Sequence, residues 1–140
     1  RAQVLVETRD MTGAIAAYGR AVDLAPKSPL LLYELAHAEI ESGDPAMLDA
    51  AIDHLKRALL HERDMASAWR QLGIAHGKKG EFGHSALALA EEAMLQGRFS
   101  AAVYQAGKAE KLFPRGSREW LQAQDLSLAA DKEIQREKQR

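Results

Sequence analysis

The 140-residue chain has no cysteine. That excludes a disulfide framework and thiolate zinc sites, and leaves the compartment open. Aromatic residues make up only 6%, so no core can be built around large rings. β-branched residues are scarce too: four Val, five Ile and two Thr. These are strand formers, and their scarcity argues against a sheet. No apolar run approaches the roughly 18 residues that span a bilayer, so direct membrane insertion is not expected. Neither charge sign dominates, with 19 Lys and Arg against 20 Asp and Glu and a formal net charge of -1. A dedicated nucleic-acid surface needs a basic excess to displace counterions, so no nucleic-acid partner is expected. The opening Arg1-Ala2-Gln3-Val4-Leu5 has neither an initiator Met nor a signal-peptide layout, and reads as part of a longer protein.

What is abundant is alanine, with 26 residues. Alanine is the best helix former, and small side chains let helices pack closely. The chain is expected to be one all-α domain.

The four prolines punctuate it. Ser28-Pro29 and Asp44-Pro45 each place a capping side chain before a proline at the first helical position. Pro26 and Pro114 follow periodic apolar stretches and must end them. Helical segments are therefore expected at about residues 1–8, 11–25, 29–42, 45–61, 65–79, 83–96 and 99–113, with a last helix after Ser117. Met11, Ala14, Ile15, Tyr18, Ala21, Val22 and Ala25 show the helical period on one face. The short connections imply antiparallel neighbours. The total is seven or eight helices, depending on the N-terminal remnant. The ten residues 131–140 hold seven charges and one apolar side chain, Ile134, which suits a solvated helix end or a disordered tail.

The chain also repeats itself. Ala14-x-x-x-Tyr18-x-x-Ala21-x-x-x-x-Pro26 is echoed by Ala102-x-x-x-Ala106-x-x-Ala109-x-x-x-x-Pro114. Ala51-x-x-x-Leu55-x-x-Ala58 is a third copy and Ser85-x-x-x-Leu89 a weaker fourth, at steps of 37, 34 and 17 residues. Trp69-x-x-Leu72-Gly73-x-x-His76, followed by Gly80, resembles the signature of the tetratricopeptide repeat (TPR) family, with His76 in place of its tyrosine. The middle step equals the TPR period. The resemblance covers about residues 1–114. It implies a TPR-like α-solenoid of antiparallel helix pairs over 1–114, a C-terminal capping helix over 115–130 and a charged tail over 131–140.

From Trp69 onward a narrower resemblance emerges. Trp69-Arg70-Gln71-Leu72-Gly73-Ile74-Ala75-His76-Gly77 is followed by Ala86-Leu87-Ala88-Leu89-Ala90-Glu91-Glu92-Ala93 and Gly97-Arg98-Phe99. Then comes Leu112-Phe113-Pro114-Arg115-Gly116-Ser117-Arg118-Glu119-Trp120-Leu121-Gln122-Ala123-Gln124-Asp125-Leu126. This order is similar to the C-terminal TPR region of bacterial periplasmic zinc metalloproteases of the BepA-like kind, where it follows an HExxH peptidase domain. The resemblance implies a periplasmic binding module for envelope or outer-membrane assembly proteins, with the peptidase half absent from this sequence. The alternative is a cytoplasmic TPR adaptor that binds a partner peptide and has no link to proteolysis.

No catalytic set stands in the chain, and neither a cofactor nor a metal is expected. His61-Glu62-Arg63-Asp64-Met65 begins like HExxH but carries Met65 where the second ligand belongs. His54 and His61 lie about 10.5 Å apart along a helix, too far to share a metal. His76 and His84 flank the Gly80 turn, but His76 is better read as filling the packing position of a tyrosine. The TPR resemblance implies a concave groove lined by Tyr33, His37, Arg70, Ile74, Lys78, His84, Leu87, Glu91 and Met94, open to protein or peptide segments. The clamp that some TPR domains use for terminal carboxylates needs Lys and Asn where Tyr33 and His37 stand. Leu87, Met94 and Leu95 give the sixth segment a second apolar side. Either a partner or the last helix must cover it.

Overall fold

Helix ends fall where local chemistry places them. The computed structural model describes residues 2–140, with side chains from Asp10 onward. Seven α-helices follow one another: α1 (Ala2–Leu24), α2 (Pro29–Glu41), α3 (Leu48–His61), α4 (Ala66–Lys78), α5 (Phe82–Leu95), α6 (Phe99–Leu112) and α7 (Arg118–Lys138). No strand occurs among the described residues. Ser28 starts α2 by accepting a hydrogen bond from the Leu31 amide at 3.3 Å. Ser117 starts α7 in the same way, with the Trp120 amide at 3.2 Å. Asp44 caps the 3-10 turn Pro45–Met47, and the α-helical part begins only at Leu48.

Two ends are closed by the same device. After α4, the Glu81 amide donates to the His76 carbonyl at 2.9 Å and the Gly80 amide to that of Gly77 at 3.0 Å. After α5, the Arg98 amide donates to the Ala93 carbonyl at 2.9 Å and the Gly97 amide to that of Met94 at 3.2 Å. Gly80 and Gly97 supply the left-handed backbone that this paired closure requires, at φ of 77° and 71°.

The expected break near residues 8–11 is absent, and α1 is one helix. Thr8-Arg9-Asp10 holds no Pro or Gly that would stop it. Arg1, where that first segment was expected to begin, and the side chains of residues 2–9 lie outside the described residues. At the other end, α7 runs unbroken to Lys138, so residues 131–138 are a largely solvated helix end.

Each helix packs on the next, giving a TPR-like stack of antiparallel helix pairs. Alanine is the mortar: Ala51, Ala58, Ala75, Ala90, Ala102, Ala106, Ala109, Ala123 and Ala130 are completely buried. Helices α4 and α5 approach closely at Gly73. A methyl group built on Gly73 would lie 2.9 Å from Leu89 Cδ2 and 3.4 Å from the Ser85 carbonyl oxygen. The Ser85 hydroxyl donates to the Gly73 carbonyl at 2.7 Å. Between α2 and α3, the buried Glu39 carboxylate is satisfied by His54 Nδ1 at 2.7 Å.

The motifs make α2/α3 and α4/α5 successive pairs, and alternation then makes α6 the first helix of a third pair, with α7 as its second. The 17-residue step from Ser85 to Ala102, half of 34 and so one helix rather than a pair, agrees with this alternation. The alanine spacing is shared by both helix types, because both bury an alanine face. Two further matches support the pairing. Ala106-Gly107 stands 34 residues after Leu72-Gly73, and Gln105 stands 34 after Gln71. Gln71 and Gln105 each hold a buried Oε1 with no hydrogen-bond partner. Beyond adjacent helices, α2 also touches α4, whereas at the C-terminal end α5 touches α7.

Candidate functional site

The start of α7 and the second half of α3 border one cleft. Its volume is about 260 Å³, and it lies over α4 and α5. Its apolar surface comes from Leu59 and Leu60 of α3, Trp69 and Leu72 of α4, and Leu87 and Ala88 of α5. Lys56, Arg63, Arg118, Glu119 and Gln122 supply its polar rim, with His76 and His84 at one end.

Trp69 is held from two sides. Its indole N–H donates to the Arg63 carbonyl at 2.8 Å, and the Arg63 guanidinium lies 5.5 Å from the ring centroid. The same guanidinium reaches Glu91 of α5 at 3.8 Å. Burial pushes the Glu91 carboxyl above the ordinary carboxylate range, and Arg63 works in the opposite direction. Leu60, by contrast, is 81% exposed at the mouth of the cleft, an apolar side chain with no cover.

A polar cluster closes the α4–α5 turn. His76 is buried, its Nδ1 is 2.9 Å from Glu81 Oε1, and its ring stacks on His84 at 5.1 Å. His84 in turn meets Phe113 edge-on at 4.9 Å. Lys79 bridges Asp49 of α3 to Glu81. His76 and His84, which flank the Gly80 turn in the sequence, thus meet as a stacked ring pair. Among the described residues, no group of three or more His, Cys, Asp or Glu side chains is placed to hold a metal ion.

Burial holds His76 below the ordinary histidine range. The hydrogen bond to Glu81 opposes this, while the charges of His84 and Lys56 add to it. The unfolded chain therefore takes up a proton near pH 6.5 that the folded chain refuses until lower pH. Above 6.5 this group costs nothing; stability declines as pH falls from there towards the depressed folded pKa, then levels off. Denaturant midpoints measured from about pH 7 down to about pH 5 should fall more steeply in the native chain than in His76→Tyr, which cannot titrate in this range. Glu91 contributes with the opposite sign in both proteins, so it drops out of the difference. Equal slopes would show that His76 is not held neutral by burial.

The nine groove positions have several different surroundings. His84 and Leu87 line the cleft, and Glu91 joins its edge through Arg63. Met94 packs against two core clusters that include Ala123, Leu126 and Ala130 of α7. Leu87 belongs to the first of these clusters and is buried, so the last helix covers much of the second apolar side of α5. Tyr33 and His37 stack on each other along α2, at 6.0 Å and 5°. Tyr33 and Ile74 both pack against the core cluster of α2–α4. Arg70 is exposed on α4, and Lys78 lines a small pocket beside Ile40, Pro45 and Leu48. The cleft also takes in Lys56, Leu60, Arg63 and Arg118, which are not among the nine groove positions. The adjacent pair Leu59-Leu60 was the available signal: one face of α3 can bury only the first.

No protein-family model matches the chain, and no curated protein matches it. Among solved structures, a chain described as the crystal structure of MamA is similar in outline. It is 20% identical, with 94% of this chain and 92% of MamA covered and a TM-score of 0.37.

Proposed function

We propose that this chain is a protein-binding module whose working site is the cleft between α3 and α7. The observation that carries the reading is the combination of an apolar floor, a polar rim and an exposed leucine at the mouth. Protein segments are gripped in this way, by apolar anchors surrounded by polar groups. In a TPR-like stack the helices supply shape and rigidity, while surface side chains choose the partner. No helix of the described residues is long and apolar enough to cross a membrane.

The finer reading is that the module serves a periplasmic zinc metalloprotease of the BepA-like kind, recruiting envelope or outer-membrane proteins to a peptidase domain. Its support is the order of motifs from Trp69 to Leu126. A cytoplasmic peptide-binding adaptor is the competing assignment.

The test places a photo-crosslinking residue at Leu60, at Tyr33 or at the exposed Asp53, one at a time, in the full chain. After irradiation in envelope extract and in cytoplasmic extract, Leu60 is expected to capture specific proteins and Asp53 none. Capture through Tyr33 alone would move the site to the α2/α4 face. Capture only from the cytoplasmic extract would favour the adaptor. Failure at Leu60 and Tyr33 in both extracts would overturn the protein-binding reading.

A further inference from the structure

We propose that the α3–α7 cleft selects an acidic protein segment with an apolar residue at its centre. This rests on the cleft being the binding site. It adds the chemistry of the partner.

Three cations from three different elements line this one cleft: Lys56 of α3, Arg63 of the α3–α4 turn and Arg118 of α7. Among the described residues, Lys56 and Arg118 make no ion pair. Arg63 has Glu91 at 3.8 Å, long for a charge-assisted bond, and its side chain is 74% exposed. Three other cations have partners within the chain: Lys79 with Asp49 and Glu81, Arg136 with Glu133, and Arg57 with the Pro26 carbonyl. What sets Lys56, Arg63 and Arg118 apart is that they converge on one cleft. Among the described residues, Glu119 is the acidic side chain in the cleft lining, and Glu91 stands at its edge against Arg63. Three cations therefore face two carboxylates, so these side chains leave the mouth net positive although the chain as a whole carries -1.

The start of α7 adds to this field. Arg118 and Glu119 are its first residues, and the peptide dipoles of this 21-residue helix place partial positive charge at that end. Beneath the cations lie Leu59, Trp69, Leu72 and Leu87, a floor that rewards an apolar side chain and offers nothing to a fully hydrated polyanion. The chemistry thus favours carboxylate side chains flanking an apolar anchor. A nucleic acid is disfavoured twice, by the net charge and because the Trp69 ring is buried and already faced by Arg63.

The test uses the full chain and fluorescence anisotropy. The probe is a labelled, C-terminally amidated peptide with a central Leu-Phe flanked by Glu and Asp. Two matched peptides carry Gln and Asn, or Lys, in place of the acids. The acidic peptide is expected to bind roughly tenfold tighter than the amide version, and to weaken as salt is raised. Lys56→Glu with Arg118→Glu should reverse the preference towards the Lys peptide. Lys56→Gln with Arg118→Gln should abolish the preference without reversing it. Both changed residues are exposed, and thermal melting confirms that the fold is kept.

Equal binding of the acidic and amide peptides overturns the proposal, as does an acidic preference that survives the double charge reversal. A single-stranded oligonucleotide that binds more tightly than the acidic peptide also overturns it. If none of the three peptides binds, the acidic proposal falls. The protein-binding reading then survives only if the Leu60 crosslinker still captures protein.

Discussion

Trp69→Ala is expected to cost about 3–5 kcal/mol, the range for truncating a large buried aromatic residue. The ring is 8% exposed and sits in a cluster with Leu55, Leu59, Leu72 and Ala88, so it joins α3, α4 and α5. Alanine would leave a cavity where three helices meet. It would also remove the indole hydrogen bond that fixes the Arg63 carbonyl in the α3–α4 turn. Ala68, Ala75 and Ala88 of the same cluster are buried and too small to fill the space. Urea unfolding followed by circular dichroism measures the loss. A cost below about 1 kcal/mol would mean that the indole is not the keystone of these three helices.

Gly73→Val comes second. The added Cβ would lie 2.9 Å from Leu89 Cδ2 and 3.0 Å from its Cγ, and the seam is further fixed by Ser85. Overpacking of this kind costs about 1–3 kcal/mol. Gly73→Ala should cost less. Its single methyl also displaces Leu89, but alanine gains about 1 kcal/mol over glycine in a helix interior. The ordering, native chain above alanine above valine in denaturant midpoint, is the expected result. A valine variant as stable as the native chain would show that α4 and α5 do not need this close approach.

Local signals made the fold readable. Pro29, Pro45, Gly80 and Gly97 mark ends, the apolar period marks faces, and Trp69-x-x-Leu72-Gly73 marks a first-of-pair helix. One expectation failed for a physical reason: a break was expected between residues 8 and 11, yet Thr8-Arg9-Asp10 holds no Pro or Gly, and polarity alone does not stop a helix.

The cleft was less legible. Leu87 and His84 were singled out, but as parts of a groove shared with Tyr33 and Arg70. The cleft depends on how α7 leans over α5 towards α3. That orientation is set by the summed packing of Leu87, Ala123, Leu126 and their neighbours, which no short motif encodes. The cations that converge there stand at 56, 63 and 118, distances in sequence that only the finished stack makes neighbours.

Leu87 and Ala88 adjoin in sequence but serve different clusters, Ala88 that of α2–α4 and Leu87 that of α5–α7. Helix α5 is therefore a party wall between two interiors. Such a division loosens thermodynamic coupling: the outer pair α6–α7 can melt while Trp69 and its neighbours stay packed. Amide hydrogen exchange should then sort into two protection classes, with α6 and α7 opening at lower free energy than α3 and α4. The calorimetric enthalpy should exceed the van't Hoff value. One wall of the cleft, the α7 end that carries Arg118, would belong to the softer class, so its partner would gain or lose half of its seat without the rest of the stack unfolding.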